Sequence, residues 1–487
     1  MIKNKQHFLW FIFIVIISLF IFSYKILSIP PGLETDEGSI SYNSSLISKN
    51  LRDQNGRFMP FFILSSDHLD WKQPVLIYSS AIMFKIFGTS LLNFKLVNVL
   101  YSLSTTILIY FLVRLLIKEK TYALMAMLLY SISPIIIITT RIGNESILPS
   151  FFSALWLLLL TLYAKYSKKY LMFLSALVLG IGFYSFKGMR IIVPVWSGLT
   201  ILYCLFINKF TKKSFQDATI FILTILPFAL IIPILESKFP GSIFDRSSIP
   251  LENYRYFIHY WLANINSFSL FSQPDIGKIY QMDYFGALLV STLPLFIYGV
   301  YLMVKGSLSQ KFILITYFLT PILFGVAKST SYSHRLTGIV PLYVIITIFG
   351  LKHLYEAKKT LAILSVVLIL LNFADFANYY YFKYPNFSQT KQAFANNYHM
   401  SFESLANLSK TNKLEPYIQS DIFDAHGDAN KFFEQAYFKK SINIWHLGDP
   451  MPKNSILLTQ VAKLESATNM QVNLNEPNIN LLISNDR

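Results

Sequence analysis

The chain has 487 residues, of which 54% are hydrophobic, 16% aromatic and only 14% charged, with a formal net charge of +16. Soluble domains carry roughly 25% charged residues, so this composition excludes an ordinary soluble protein and fits a polytopic membrane protein with a polar appendage. The positive charge does not indicate nucleic acid as a partner, because Lys and Arg fall in short clusters between apolar runs, where membrane topology places them. A single cysteine, Cys204, lies inside an apolar run, which leaves no internal disulfide and no cysteine metal site.

The first apolar run, 8–29, exceeds a signal-peptide core of about 7–15 residues and no small-residue cleavage site follows it. It reads as a retained transmembrane helix. Residues 30–73 form an external loop rich in acids, among them Glu34, Asp36 and Glu37. The stretch 74–88, opened by Pro74 and closed by Gly88, is too short to span and reads as an interfacial or re-entrant helix. Further runs lie near 92–117, 121–139, 147–164, 170–187, 190–207, 217–235, 285–304, 312–327, 336–351 and 360–382, which predicts about eleven spans. With the N-terminus in the cytoplasm, the segments 1–7, 112–121, 165–169, 208–216, 305–311 and 352–359 face inward. Each of these carries two or three Lys or Arg, and the only acids among them are Glu119 and Glu356, as the positive-inside rule requires. Residues 236–284 form a second large external loop. From 383 the apolar runs stop and apolar residues alternate with turn residues. The reading is a membrane domain over 1–382, with its first external region at 30–90, and a small α+β extracytoplasmic domain over 383–487.

Polar groups gather at the external helix ends. The first loop supplies Asp36 and Glu37, then His68, Asp70 and Lys72 in "SSDHLDWKQP". "TTRIGNESILP" supplies Arg141, Asn144 and Glu145, "FYSFKGMRIIVP" supplies Lys187 and Arg190, and "AKSTSYSHRLTG" supplies Lys328, His334 and Arg335. Cations at helix ends also snorkel to lipid headgroups, and an acid at a helix start suits the helix dipole. Short external turns normally avoid Lys and Arg, however, and three of them break that pattern on one face. Cations at a membrane surface neutralise and orient a phosphate, and a carboxylate beside them serves as a general base toward a hydroxyl. The set describes group transfer from a lipid phosphate. No nucleotide-binding loop is present, so the lipid-phosphate bond itself would supply the driving force.

These residues resemble a known pattern, that of the GT-C-type integral membrane glycosyltransferases, in the superfamily of glycosyltransferase family 39 and the lipid A aminoarabinose transferases. The resemblance rests on "PGLETDEGSISYNSS", "WKQPVLIYSSAIMFKIFGTSLLNFKLVNVL", "SPIIIITTRIGNESILPSFFSALWLLLL", "FYSFKGMRIIVPV" and "SHRLTGIVPLY". It implies a polyprenyl-phosphate-sugar donor, an inverting mechanism and Asp36 as catalytic base. Glu37 would orient Asp36 or bind the acceptor, and Glu145 would orient donor or acceptor. Lys72, Lys187, Arg190 and Arg335 would bind the donor phosphate, with His68, Asp70, Arg141 and His334 in support. Two positions depart from the pattern. Gln73 interrupts the family's Lys-Pro-Pro segment, and Glu145 stands where the family commonly has Asp.

The expected acceptor is a hydroxyl on a protein, lipid or glycan at the outer face, and the expected location is a bacterial plasma membrane. No cofactor is required by the sequence. His68, Asp70 and His259 leave a divalent ion open, although their spacing matches no metal motif. The competing readings are a polytopic transporter or lipid flippase and a non-catalytic scaffold. A transporter would show internal repeats and mid-membrane polar sites, whereas here the charges lie at one face.

Overall fold

The computed structural model describes residues 2–65, 70–243, 254–265, 268–272, 279–280, 284–327, 333–394, 398–425, 427–438, 441–462, 464, 467–470 and 479–484. Among them, eight helices are long and apolar enough to cross a membrane: Lys5–Ser23, Leu91–Ile117, Glu145–Tyr166, Met189–Ile207, Lys212–Lys238, Leu308–Val326, Ser333–Ala357 and Lys359–Asn386. The run at 121–139 is a bent pair, Lys120–Ser131 and Pro134–Arg141, at 57° to one another. Pro134 accounts for the break, since it offers no N–H to the preceding turn and crowds the carbonyl before it. The runs at 170–187 and 285–304 become the shorter apolar helices Lys169–Phe183 and Val290–Val304. Every apolar run expected to span therefore coincides with an apolar helix, and the chain is an integral membrane protein.

Six elements near the amino terminus position the site. Helix α1 (Ile2–Ser23) is the first span, and α2 (Thr35–Asn50) follows at once. Strands β1 (Ile63–Leu64) and β2 (Trp71–Lys72) pair antiparallel and lead into the short helix α3 (Pro74–Phe87), then into the span α4 (Leu91–Ile117). The expectation of a loop over 30–73 changes at α2. Its sequence, TDEGSISYNSSLISKN, is rich in Ser and Asn, which are weak helix formers because their side chains compete for backbone groups. Here burial overrides propensity. The hydroxyl of Ser44 donates to Ile40 O at 2.6 Å and the amide of Asn43 donates to Ser39 O at 2.9 Å. Ser44 also donates across to Ile77 O of α3 at 3.1 Å, and the small side chains let the two helices pack closely.

The tail forms a five-stranded mixed sheet in the order β4-β3-β5-β7-β6, with β3 Glu415–Gln419, β4 Asn443–Trp445, β5 Ser455–Thr459, β6 Ala467–Met470 and β7 Asn480–Ser484. β3 is parallel to both β4 and β5, and β7 is antiparallel to β5 and β6. One of its helices, Gly427–Tyr437, lies on α2. A Cβ on Gly38 would stand 2.8 Å from the Ala429 nitrogen and 2.9 Å from the Ala429 Cβ, so glycine is needed for this approach. The Phe432 ring sits 5.9 Å from that of Phe84 on α3 and 6.0 Å from that of Phe94 on α4. The tail helix is thereby wedged among the three elements behind the acid-bearing segment.

Candidate active site

Successive residues on a helix are rotated by about 100°, and this separates the two adjacent acids at the start of α2. The Asp36 side chain is 53% exposed, while that of Glu37 is 0% exposed. Asp36 lines a cavity of about 390 Å³, and Glu37 points into the protein. Glu37 accepts from the Lys95 ammonium of α4, from the Gly143 N–H and, at 3.0 Å, from the Glu34 N–H. Lys95 also donates to Arg141 O at 3.0 Å. Glu37 therefore points away from the cavity. It ties α2 to α4 and to the turn before Glu145.

Asp36 is joined at the cavity wall by Asp70, Lys72, Glu145, Lys187, Arg190, His334 and Arg335. The hairpin β1–β2 sets Asp70 and Lys72, the turn after Lys169–Phe183 sets Lys187, and Met189–Ile207 begins beside Arg190. Lys72 donates to Asp36 and, at 2.8 Å, to Asp70, whose other carboxylate oxygen takes Lys187. Burial alone would raise Asp70, but the Lys72 and Lys187 ammoniums outweigh it and hold the carboxyl below its usual range. Burial likewise works against the Lys72 ammonium, yet Asp36 and Asp70 keep it above its ordinary value. Glu34, at the start of α2, is pushed up to about 8 by burial and by the neighbouring Asp36 and Glu37 carboxylates.

Glu145 accepts the backbone N–H of Gln73 at 2.6 Å. Arg190 donates to Ser242 O at 2.7 Å, Ile243 O at 3.2 Å and Gln73 Oε1 at 2.8 Å. Part of its capacity is thus spent on fixing the loop that closes the cavity. Tyr280 stacks on His334 with ring centroids 3.9 Å apart, and its hydroxyl receives the Asn144 amide. Carboxylates, cations and aromatic faces from distant parts of the chain meet in one pocket large enough for a sugar and a phosphate.

Two expected site residues lie elsewhere. Arg141 is fully buried away from the cavity, where its guanidinium donates to Ile29 O at 3.0 Å, Phe22 O at 3.0 Å and Tyr24 O at 2.6 Å. It caps the carbonyls freed at the end of the first span and its connector, a structural task. Glu37 is consumed by its ion pair with Lys95, as described. His68 and Lys328 lie outside the described residues. His259 is exposed on Tyr254–Ile265 and does not line the cavity. Among the described residues no group of three or more His, Cys, Asp or Glu converges as a metal site. Sequence reasoning missed Lys95, although a lone Lys inside an apolar run is the signal of a buried partner. It also missed Tyr280 and the 241–243 loop, for which no sequence signal stands out.

Residues 72–236 match the family model for dolichyl-phosphate-mannose-protein mannosyltransferases. No curated protein matches the chain by sequence. Among solved structures, ArnT from Cupriavidus metallidurans bound to undecaprenyl phosphate aligns over 97% of this chain and 97% of its own, with a TM-score of 0.54 at 10% identity. The same protein in its apo state gives 0.53, again at 10% identity and 97% coverage of each chain. An oligosaccharyltransferase from Archaeoglobus fulgidus, tethered to an acceptor peptide, gives 0.50 at 12% identity, covering 92% of this chain and 64% of that one. At such identities the likeness is one of fold, and the fold is the GT-C type expected from the sequence.

Proposed function

We propose, from a GT-C fold and a mannosyltransferase-family match that opens at Lys72, that this chain is a glycosyltransferase. It moves a sugar from a polyprenyl-phosphate donor to an acceptor hydroxyl at the outer membrane face, with inversion. The observation that carries the reading is the cavity in which Asp36 and Glu145 meet Lys72, Lys187, Arg190 and Arg335. The ArnT structure that shares the fold holds undecaprenyl phosphate, which supports a lipid-phosphate ligand here.

In this reading the acceptor O–H gives its proton to Asp36 as its oxygen bonds to the anomeric carbon. The bond from that carbon to the phosphate oxygen breaks on the opposite face, and its electron pair leaves with the phosphate. Lys72, Lys187, Arg190 and Arg335 stabilise the charge that develops there. Lys72 links the two ends of the reaction. It holds Asp36 in an ion pair, and the donor's phosphodiester, whose single negative charge is shared by two oxygens, offers the same ammonium a competing partner. Donor binding would thereby free the base as it fills the site. The proposed orientation, with the N-terminus in the cytoplasm and the tail outside, is supported by the clustering of Lys and Arg in alternate connecting segments.

The test uses purified protein in micelles with a panel of polyprenyl-phosphate sugars. Wild type should transfer from at least one, and Asp36→Asn should lose about 10²–10⁴-fold in single-turnover rate while polyprenyl-phosphate binding persists. Normal transfer by a stable Asp36→Asn variant removes this residue from the mechanism.

A further inference from the structure

Gln73 does not line the cavity, yet it is hydrogen-bonded to three residues that do. Its side chain is fully buried. Its N–H donates to Glu145 Oε1 at 2.6 Å, its Oε1 accepts from Arg190 Nη2 at 2.8 Å, and its Nε2 donates to Trp71 O at 3.3 Å. The backbone is extended there, with φ −84° and ψ 147°, as the following Pro74 demands, and this fixes the direction of the N–H. Among the described residues Glu145 and Arg190 share the cavity wall without forming an ion pair. In a site of low effective dielectric an acid and a guanidinium attract strongly. A pair between them would neutralise both and leave neither for a ligand. Gln73 stands between them, its backbone N–H donating to Glu145 and its side-chain oxygen accepting from Arg190, and it adds no charge of its own; a base at 73 could not accept from Arg190.

The contact between positions 73 and 145 depends on the backbone N–H of residue 73. A proline at 73 has no N–H for a carboxylate at 145 to accept. We infer that Gln73 is the positioning residue that holds Glu145 and Arg190 apart and presents both to the cavity, and that Gln73 and Glu145 form one matched unit. The first part rests on the reading of the cavity as a lipid-phosphate site.

The experiment combines polyprenyl-phosphate affinity in micelles with thermal melting. Gln73→Ala keeps the N–H and removes the contact to Arg190. It should weaken polyprenyl-phosphate binding about 10-fold, and in an Arg190→Ala background it should add nothing further. Gln73→Pro is close to the existing backbone angles and removes both contacts. It should melt below Gln73→Ala, and adding Glu145→Asp should recover part of the loss although Glu145→Asp alone is harmful. Unchanged affinity in Gln73→Ala, or simple additivity in either pair of variants, overturns the inference. If wild type itself does not bind polyprenyl phosphate, the lipid-phosphate reading falls. The melting cycle between 73 and 145 then still decides the matched unit, with coupled losses supporting it and additive losses refuting it.

Discussion

Replacing Lys95 by Met tests what fixes the acid-bearing helix. The Lys95 and Glu37 side chains are 1% and 0% exposed, and they form one ion pair. Met fills a similar volume but removes the ammonium. Glu37 would keep only the N–H groups of Gly143 and Glu34, and its charge would remain in a dry site. Breaking a buried pair from one side destabilises by about 3–5 kcal/mol, mostly through the charge left behind. The double variant Glu37→Gln with Lys95→Met removes that charge; its amide oxygen replaces one carboxylate oxygen, and the N–H that met the other is left facing the amide nitrogen. Its loss should fall to about 1–2 kcal/mol, the scale of imperfectly satisfied neutral hydrogen bonds. Equilibrium unfolding in mixed micelles, followed by tryptophan fluorescence, orders the three proteins. If Lys95→Met is as stable as wild type, or if the double variant is worse than the single one, the ion pair does not anchor α2.

Asp70→Asn should destabilise by about 2 kcal/mol, less than Lys95→Met, because Asp36 still faces Lys72 and the Lys187 side chain is 39% exposed; the same unfolding assay checks the order. The Asp70 contribution exists above the unfolded carboxylate value of about 4 and is lost as pH falls through the lower folded value, while that of Lys72 exists below about 10. Wild type should therefore keep this cluster between those limits. Glu34 behaves oppositely: its folded value of about 8 lies above the unfolded value of about 4.3, so its stabilisation is full below the latter and is lost as pH rises through 8. Glu34→Gln should flatten the fall in stability across that window, and parallel curves for the two proteins would refute it. For topology, Asn55→Cys and Lys453→Cys should react with an impermeant maleimide in intact cells and Lys209→Cys only after lysis, against a buried native Cys204; labelling of Lys209→Cys in intact cells would invert the orientation.

The spans were legible because a bilayer imposes a simple rule, about 20 apolar residues per crossing, and every expected run meets an apolar helix. The bend at Pro134 could be read in hindsight from the proline alone. The cavity was legible in kind. Asp36, Asp70, Lys72, Glu145, Lys187, Arg190, His334 and Arg335 were singled out because charges at short external turns are unusual, and the fold brings these together. What could not be read was the assignment of neighbours. Asp36 and Glu37 are indistinguishable in an extended loop, and only the helical rotation of α2 sends one to the cavity and the other to Lys95. Arg141 has the same composition signal as Arg190, yet it closes the end of the first span. Tyr280 reaches the site from a separate external loop, and no local pattern reports such a long-range contact.

The packing of Ala429 against Gly38 joins the two extremes of the chain. Domains form in the order in which they are made, beginning at the N-terminus. The helix that carries Asp36 thus leaves the ribosome well before its rear support, Gly427–Tyr437. A bis-maleimide cross-link between cysteines at Lys49 and Gln435, whose side chains meet in a hydrogen bond, would time the contact on stalled chains of increasing length; cross-linking before residue 437 has emerged would contradict this sequence of events. Assembly of the charged pocket then waits on the tail: the segments that carry its cations and acids enter the bilayer first, and the wall that holds Asp36 is backed only once the later helix has packed.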